Sequence, residues 1–443
     1  MRVAHRRPDR PTRPRRVLLG GRRVGGTLAE LATRRTFRSL RVRNYRLFFF
    51  GQLVSASGTW MQQLAQDWLV LRLTSRALPL GITTALQFAP VLAFGAWGGV
   101  VADRVDKRRL LLVTQGAMGS LALVLGVLTA TGHTRLWMIY LLALLLGCAT
   151  AFDLPTRQSF VSEMVGADQV VNAVGLNSAV FNTARVIGPA LAGVLIAAVG
   201  LAPAFFVNAA SYLAVIGGLL LMDPARLYRR PGVERTSGQV RAGLRYVLAT
   251  PALRSTLALV AVIGTLGLNY RIVLPLLARF TFHGGPGSYG LLASLMAGGS
   301  VVGALAAARR EQPTRLLLLG SAAGFGLLSL LGAAAPTLAV EAVVLVPLGV
   351  TSISFLTAAN TTLQLGSAAA MRGRVMSLYG LVFLGSTPFG GLLVGWLAGQ
   401  FGPRAGLLLS GVSSLAATAV AAFARTGRRP LRQALAEASD RAA

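Results

Sequence analysis

Twelve apolar runs, each near twenty residues and parted by short charged gaps, constrain this 443-residue chain more than any motif does. They fall at about 47–71, 79–101, 110–131, 136–156, 174–199 and 204–222, then 255–278, 288–308, 315–334, 338–360, 375–399 and 404–424. A helix needs ~20 mostly apolar residues to cross a hydrocarbon core. Lipid satisfies no backbone polar group, so such runs must fold as helices bonded within themselves. Soluble proteins seldom bury so many helices of such uniform length. The expected fold class is all-α: a polytopic membrane protein of twelve transmembrane helices.

Composition agrees. The chain is 54% hydrophobic and 13% charged, where soluble domains carry about 25% charged residues. A formal charge of +30 suggests a nucleic-acid partner, but the distribution of that charge argues otherwise. Fifteen of the 44 basic residues precede Leu47, in an arm with few aromatic residues to stack on bases. Residues 1–43 are expected to be disordered and attracted to anionic lipid rather than to nucleic acid. Arg22 and Arg23 are followed by no short apolar region with a cleavage site, so no signal peptide is expected. The single cysteine, Cys148, excludes a disulfide framework or a cysteine-built metal site within one chain. His5, His133 and His283 are far apart, and there is no phosphate loop of the Walker type. No metal, cofactor or direct ATP hydrolysis is expected, and the chain does not read as an enzyme.

The basic residues also orient the spans. With the amino terminus inside, 37 of the 44 fall in segments on the cytoplasmic side. Both termini are therefore expected in the cytoplasm, with the chain in a cell (inner or plasma) membrane.

One gap carries a motif. Gly98 to Arg109, GGVVADRVDKRR, sets Gly99, Asp103, Arg104, Arg108 and Arg109 on the pattern G-x-x-x-D-R-x-G-x-R-R, with Asp106 in place of the second glycine. The stretch resembles the loop between helices 2 and 3 of the major facilitator superfamily of transporters. It falls between the second and third spans, as that resemblance requires. Gly98, Gly99, Val101 and Arg109 recur 200 residues later as Gly298, Gly299, Val301 and Arg309. GPALAG at 188–193 has a weaker echo in TPFGG at 387–391. Two six-helix pseudo-repeats joined by a basic linker is the plan the resemblance implies, with a substrate site between the halves near mid-membrane. The expected divisions are the arm 1–43, a first half 44–222, a linker 223–254, a second half 255–424 and a basic tail 425–443.

Further stretches narrow the resemblance. FRSLRVRNYRLFFFGQLVSASGTWMQQLAQDWLVLRLT at 37–74, AFDLPTRQSFVSEMV at 151–165, NAVGLNSAVFNTARVIGPALAG at 172–193 and RGRVMSLY at 372–379 are similar to the bacterial efflux branch that includes enterobactin and macrolide exporters. The resemblance implies proton-driven export of a small, partly hydrophobic compound such as a drug, siderophore or secondary metabolite. The arginine motif that many drug–proton antiporters carry in helix 4 is missing, since that span reads LLALLLGCATAFDLP. The coupling group must therefore be sought elsewhere.

Charge inside a span is costly, and it usually faces a cavity or a partner. Asp67 is the sole carboxylate in the first span. It shares an arc of roughly 140° with Ser55, Thr59, Gln62, Gln63 and Gln66. It is a candidate proton- or substrate-linked acid, or else a cap at the outer end of the bundle. Arg185 sits mid-span on one face with Ser178 and Asn182; it stays charged and cannot be the titrating group. It could bind an anionic part of the substrate or hold a helix–helix network. Arg271, in the repeat counterpart of the first span, is a candidate partner for Asp67, or an arginine snorkelling to the interface. Gly188, Pro189 and Gly193 suit close helix packing, and Pro189, Pro275 and Pro388 are places where helices can bend. Asp103 is expected to face the start of the eleventh helix, with Arg372 and Arg374, when the cytoplasmic side is shut. Uptake by the same fold, or a membrane sensor that transports nothing, stays open; the sensor would need added domains. A monomer is expected.

Overall fold

A computed structural model describes residues 37–228, 239–309 and 314–423. The basic arm up to residue 36 and the tail from 424 on lie outside the described residues. The fold set out below is that of the unit beginning at Ser39.

The first half is six helices: α1 (Arg43–Thr74), α2 (Leu78–Arg104), α3 (Lys107–Ala130), α4 (Leu136–Met164), α5 (Val170–Val199) and α6 (Ala202–Leu220). A short helix α7 (Gln239–Ala249) precedes the second half. That half holds α8 (Pro251–Val262), α9 (Tyr270–Leu276), α10 (Pro286–Ala308), α11 (Arg315–Ala333), α12 (Leu338–Leu365), α13 (Ala369–Phe401) and α14 (Arg404–Phe423). Among the described residues, 11 helical segments are long and apolar enough to cross a membrane. The segment expected as the first span, α1, is not among them. Its 32 residues rise about 48 Å, which is ample length. What it lacks is apolarity, because it carries Gln52, Gln62, Gln66 and Asp67, all buried within the bundle rather than turned to lipid, and Gln63.

Two features add detail to the expectations. The segment expected as a polar linker, 223–254, contains the amphipathic helix α7, whose Val247 is buried and whose Gly243 lies against Arg374 of α13. The seventh span, expected to be continuous, is broken. Between α8 and α9 the chain makes a π-helical turn at Ile263–Gly267, and Leu268 and Asn269 leave the helix. Leu268 N–H reaches back five residues to the Ile263 carbonyl (2.9 Å), and the Asn269 side-chain amide donates to the Thr265 carbonyl at 2.7 Å. Another π turn follows at Leu277–Thr281. Wide turns of this kind inside helices are frequent at functional sites.

The two halves repeat each other in packing. A Cβ on Gly98 of α2 would run into the Ala151 carbonyl of α4, and one on Gly147 of α4 into the Gln87 carbonyl of α2. The same reciprocal seating joins α10 and α12, through Gly299 against Val346 and Gly349 against Met296. After α5 and α13 the chain turns at Gly200 (φ +92°) and Gly402 (φ +85°), conformations that favour glycine.

The core is not distributed evenly. Call the end of the bundle that carries residues 104–109 and 369–374 the arginine end. Away from it, one large apolar cluster joins the halves, running from Leu64 and Trp68 through Ile272 and Tyr289 to Leu348. At the arginine end there are two separate clusters. Tyr45, Phe48, Phe160 and Met164 pack within the first half, while Val247, Leu253, Leu363 and Val375 pack within the second.

Candidate transport site

Three side chains from three helices meet where the halves are joined. Asp67 of α1 is almost wholly buried, at 1% exposure. Arg271 of α9 donates to it from Nε (3.2 Å to Oδ2) and from Nη2 (3.2 Å to Oδ1). The hydroxyl of Tyr289 in α10 donates to Oδ2 at 3.1 Å. A bidentate guanidinium suits a buried carboxylate, and the extra hydroxyl engages it further. Desolvating both charges is expensive, so the buried pair depends on these hydrogen bonds.

The helix break positions two of these contacts. Arg271 follows Tyr270 in the first turn of α9, and the Tyr270 hydroxyl meets Ser329 at 2.8 Å. Ser329 in turn lies 3.1 Å from Ser410, which donates to the Gly267 carbonyl at 3.2 Å. The irregular backbone at 267–269 is thereby tied to α11 and α14. Nearby, Arg279 donates to Ser75 at 3.2 Å, again from one half to the other.

Close backbone approach seals the same region. A Cβ on Gly81 of α2 would collide with the Gly391 carbonyl of α13, and Gly395 is 3.2 Å from Gly81 by the same measure. A Cβ on Gly193 of α5 would lie 3.2 Å from Gly287, and one on Gly290 of α10 would lie 2.5 Å from the Pro189 carbonyl. Gly188 serves packing within the first half, facing Trp60 and Ser57 of α1.

Below this seal lies a cavity of about 320 Å³, lined by both halves. Trp60, Gln63, Arg185 and Pro189 line it from the first half, and Asn269, Arg271, Tyr289, Ser352 and Thr387 from the second. From it, the face of α5 through Arg185, Asn182, Ser178 and Gly175 runs toward the arginine end without burial. On α13, the face through Thr387, Leu384, Gly380, Ser377 and Gly373 does the same. The cavity is thus closed away from the arginine end and accessible toward it.

The polar arc of α1 divides. Gln63 reaches the cavity. Gln62 accepts from Asn208 of α6 at 2.7 Å, and Gln66 is buried with its amide nitrogen unpartnered among the described residues. Asn182 and Ser178 each bond back to a carbonyl of their own helix, at 2.9 Å. Arg185 lies 5.8 Å from the ring of Trp60.

At the arginine end, Asp106 caps α3 by accepting from Arg109 N–H at 3.0 Å. Arg108 donates to the Leu219 and Leu220 carbonyls at the end of α6, at 2.6 and 3.0 Å. Asp103 and Arg104 border a small cleft with Phe160, Glu163 and Leu227. Gly99 is buried, but its neighbour Gly98 is the residue seated against α4.

Two groups escaped the sequence. Tyr289 carries no signal beyond being a tyrosine within a span, although a buried hydroxyl needs a partner. The other is a network inside the first half. Arg157 pairs with Asp153 at 2.8 Å and donates to Gln52 at 3.0 Å, while Gln115 and Thr114 donate to Asp153 at 2.7 and 3.0 Å. The sequence put Arg157 in a loop, but α4 continues to Met164 and carries it inside.

Two pseudo-repeated halves around a central cavity, with a charged cluster across their junction, define a multi-pass membrane transporter of the major facilitator fold. The chain belongs to the family described as transmembrane secretion effector, which matches residues 34–440. It is 26% identical over 388 residues to the staphyloferrin A transporter of Staphylococcus aureus (strain NCTC 8325 / PS 47), covering 85% of this chain and 95% of that protein. It is 27% identical over 395 residues to the multidrug efflux pump Tap of Mycolicibacterium fortuitum, covering 85% and 94%. Among solved structures, a bacterial homologue of the human lysosomal transporter Spinster, in an inward-facing and occupied conformation, superposes with a TM-score of 0.69 at 16% identity, covering 89% of this chain and 98% of that one. The family placement bears out the resemblance drawn from the loop at 98–109 and the efflux-branch stretches.

Proposed function

We propose that this chain is a proton-coupled exporter of a small, partly hydrophobic compound, working by alternating access in a cell membrane. A staphyloferrin A transporter and a multidrug efflux pump among its relatives support that class of cargo. The arginine end faces the cytoplasm, as the distribution of basic residues favours, and both termini lie on that side. The chain acts as a monomer without a cofactor, and its basic arm rests on anionic lipid.

The observation that carries the proposal is the Asp67–Arg271 pair joining the two halves at 3.2 Å. A carboxylate held across two moving bodies is a latch. With Asp67 ionised, the latch keeps the outer end shut and leaves the cavity open to the cytoplasm. To open outward, the halves must separate here, and a separated Asp67 meets the outer solution. A proton taken up there competes with Arg271 for the carboxylate. When the end closes again, the guanidinium and the Tyr289 hydroxyl reclaim Asp67, and the proton leaves toward the cavity. The proton thus moves inward as the cargo moves outward.

The test is Asp67→Asn in reconstituted vesicles. Uphill accumulation driven by a proton gradient without nucleotide is lost, while exchange of labelled for unlabelled cargo persists. Unchanged accumulation in the variant sinks the proposal and leaves Asp67 a structural cap.

A further inference from the structure

The cavity contains more positive charge than its own protein neutralises. Its lining includes two guanidiniums, Arg185 and Arg271, and no carboxylate. Arg271 is compensated from behind by Asp67. Arg185 is not. Among the described residues no carboxylate or carbonyl accepts a bond from it, and Ser178 and Asn182, on the same face of α5, each donate to a carbonyl of their own helix. What it has is the ring of Trp60 at 5.8 Å. A structural arginine within a span would be expected to spend its five donors on carbonyls or a carboxylate. Arg157, in the neighbouring helix, does so with Asp153 and Gln52. In addition, Nη1 of Arg271 is buried without an acceptor, although the rest of that guanidinium is engaged.

We infer that the central cavity is an anion site: Arg185 recognises a carboxylate or comparable oxyanion on the cargo, and Trp60 and the apolar wall hold a flat, apolar body. This deepens the exporter proposal by naming the charge of the cargo, and it rests on the cavity being the transport site. The guanidinium presents a planar fork that matches a carboxylate in two parallel bonds. Its place beside an indole suits a ligand in which charge and ring adjoin. Gln63, also in the lining, supplies an amide for a further polar group. A cationic cargo would meet two guanidiniums and no counter-charge facing it.

The experiment is equilibrium binding on the purified full chain, with tritiated 2-naphthoate and its uncharged analogue 2-naphthamide as probes and no gradient imposed. The acid should bind about tenfold tighter than the amide, the size expected when one hydrogen bond to a charged group is gained. Arg185→Gln should erase that preference while leaving amide binding in place, and Arg185→Lys should keep part of it. Retained amide binding also shows that the variant is folded. Equal binding of acid and amide by the parent, no saturable binding of either, or an undiminished preference in Arg185→Gln overturns the inference. Accumulation of 2-naphthoate in inverted vesicles separates the two proposals. Anion-selective binding without accumulation defeats export and leaves the anion site standing. Accumulation of acid and amide alike defeats the anion site and leaves export standing.

Discussion

Two buried aspartate–arginine pairs sit in this bundle, and they are built for opposite purposes. Asp153 and Arg157 are four residues apart on α4, at 2.8 Å, and among the described residues their partners (Gln52, Thr114, Gln115 and the ring of Phe181) come from the first half. Asp67 and Arg271 are 204 residues apart, on different halves. If the halves rock as rigid bodies, the first pair keeps its geometry throughout and the second must break in every cycle. The first therefore belongs to the stability of a body, and the second to the balance between conformations. Burial alone does not separate them, since the two aspartates are 0% and 1% exposed. The topology of their partners does.

The largest effect should come from breaking the pair that never opens. Asp153→Ala leaves Arg157 enclosed without its counter-charge, a loss of roughly 3–5 kcal/mol for a buried pair. The expected result is a large drop in melting temperature in detergent and little protein in the membrane. Asp67→Ala should lower melting far less, because a population open at the latch can rehydrate Arg271. Equal drops would mean that the latch, too, is a permanent fixture.

Next comes a wedge at the seal. Gly81→Leu places a side chain where the Gly391 carbonyl already sits, so the outer end cannot shut. A cysteine at Ala77, which is 5% exposed and lies beside Gly395 of α13, should then, in a Cys148→Ser background, react with a membrane-impermeant maleimide added from outside at several times the rate seen without the wedge. Transport should fall to background while the protein still folds. Parental labelling and transport would show that α2 and α13 yield at this point and that the glycine contact is no seal.

A smaller change sharpens the latch itself. Tyr289→Phe removes one hydroxyl from Asp67 and keeps the ring, a loss of about 1.5–3 kcal/mol for a hydrogen bond to a charged group. That energy is divided between the closed state and its open competitor. The variant should leak toward the outward-open form, with faster Ala77→Cys labelling than the parent but slower than in the wedge variant. No change in labelling would put Tyr289 outside the latch.

How much of this the sequence disclosed depended on whether a residue looked costly where it stood. Asp67 and Arg271 did, being charges within apolar runs, and so each stood out before any contact was known. The loop at 98–109 did as well, through its pattern. Arg157 did not, because the apolar run of the fourth span gives out just before it; Asp153, at the inner end of that span, stood out only as a second possible coupling acid, without its partners. Hydropathy measures what faces lipid, and a polar interior reads to it as an end. The break at Leu268 and Asn269 was hidden for the converse reason. Gly264, Gly267 and Asn269 are weak helix formers, but glycines are common in membrane spans, and the bonds that stabilise the break come from Thr265 nearby and from Ser410, far away in sequence. Likewise, the fate of Arg185 was undecidable until the ring of Trp60 was seen to be its neighbour in place of a carboxylate.

The smallest effect concerns the arginine end, where the comparison predicts a second, weaker latch. Asp103 closes α2, and the start of α13 is the element it would meet if that end shut. In the conformation described, Arg372 donates to the Gln364 carbonyl at 3.0 Å, and Arg374 lies against Gly243 of α7 and the Met371 sulfur. Both arginines are thus engaged within their own half, as expected of a latch that is open. On closing, the first turn of α13 and its arginines would attract the carboxylate, an interaction of about 0.3–1 kcal/mol near a helix terminus. Asp103→Asn should therefore slow export only about twofold to fivefold, by disfavouring the outward-open form, with no loss of protein from the membrane. Its effect on Ala77→Cys labelling should be opposite in sign to that of Tyr289→Phe, slower rather than faster. Combining the two substitutions should bring labelling back toward the parental rate, since one weakens the outer latch and the other the inner. Labelling that moves in the same direction for both variants would mean that Asp103 belongs to the first half's own fabric, like Asp153, and not to the cycle.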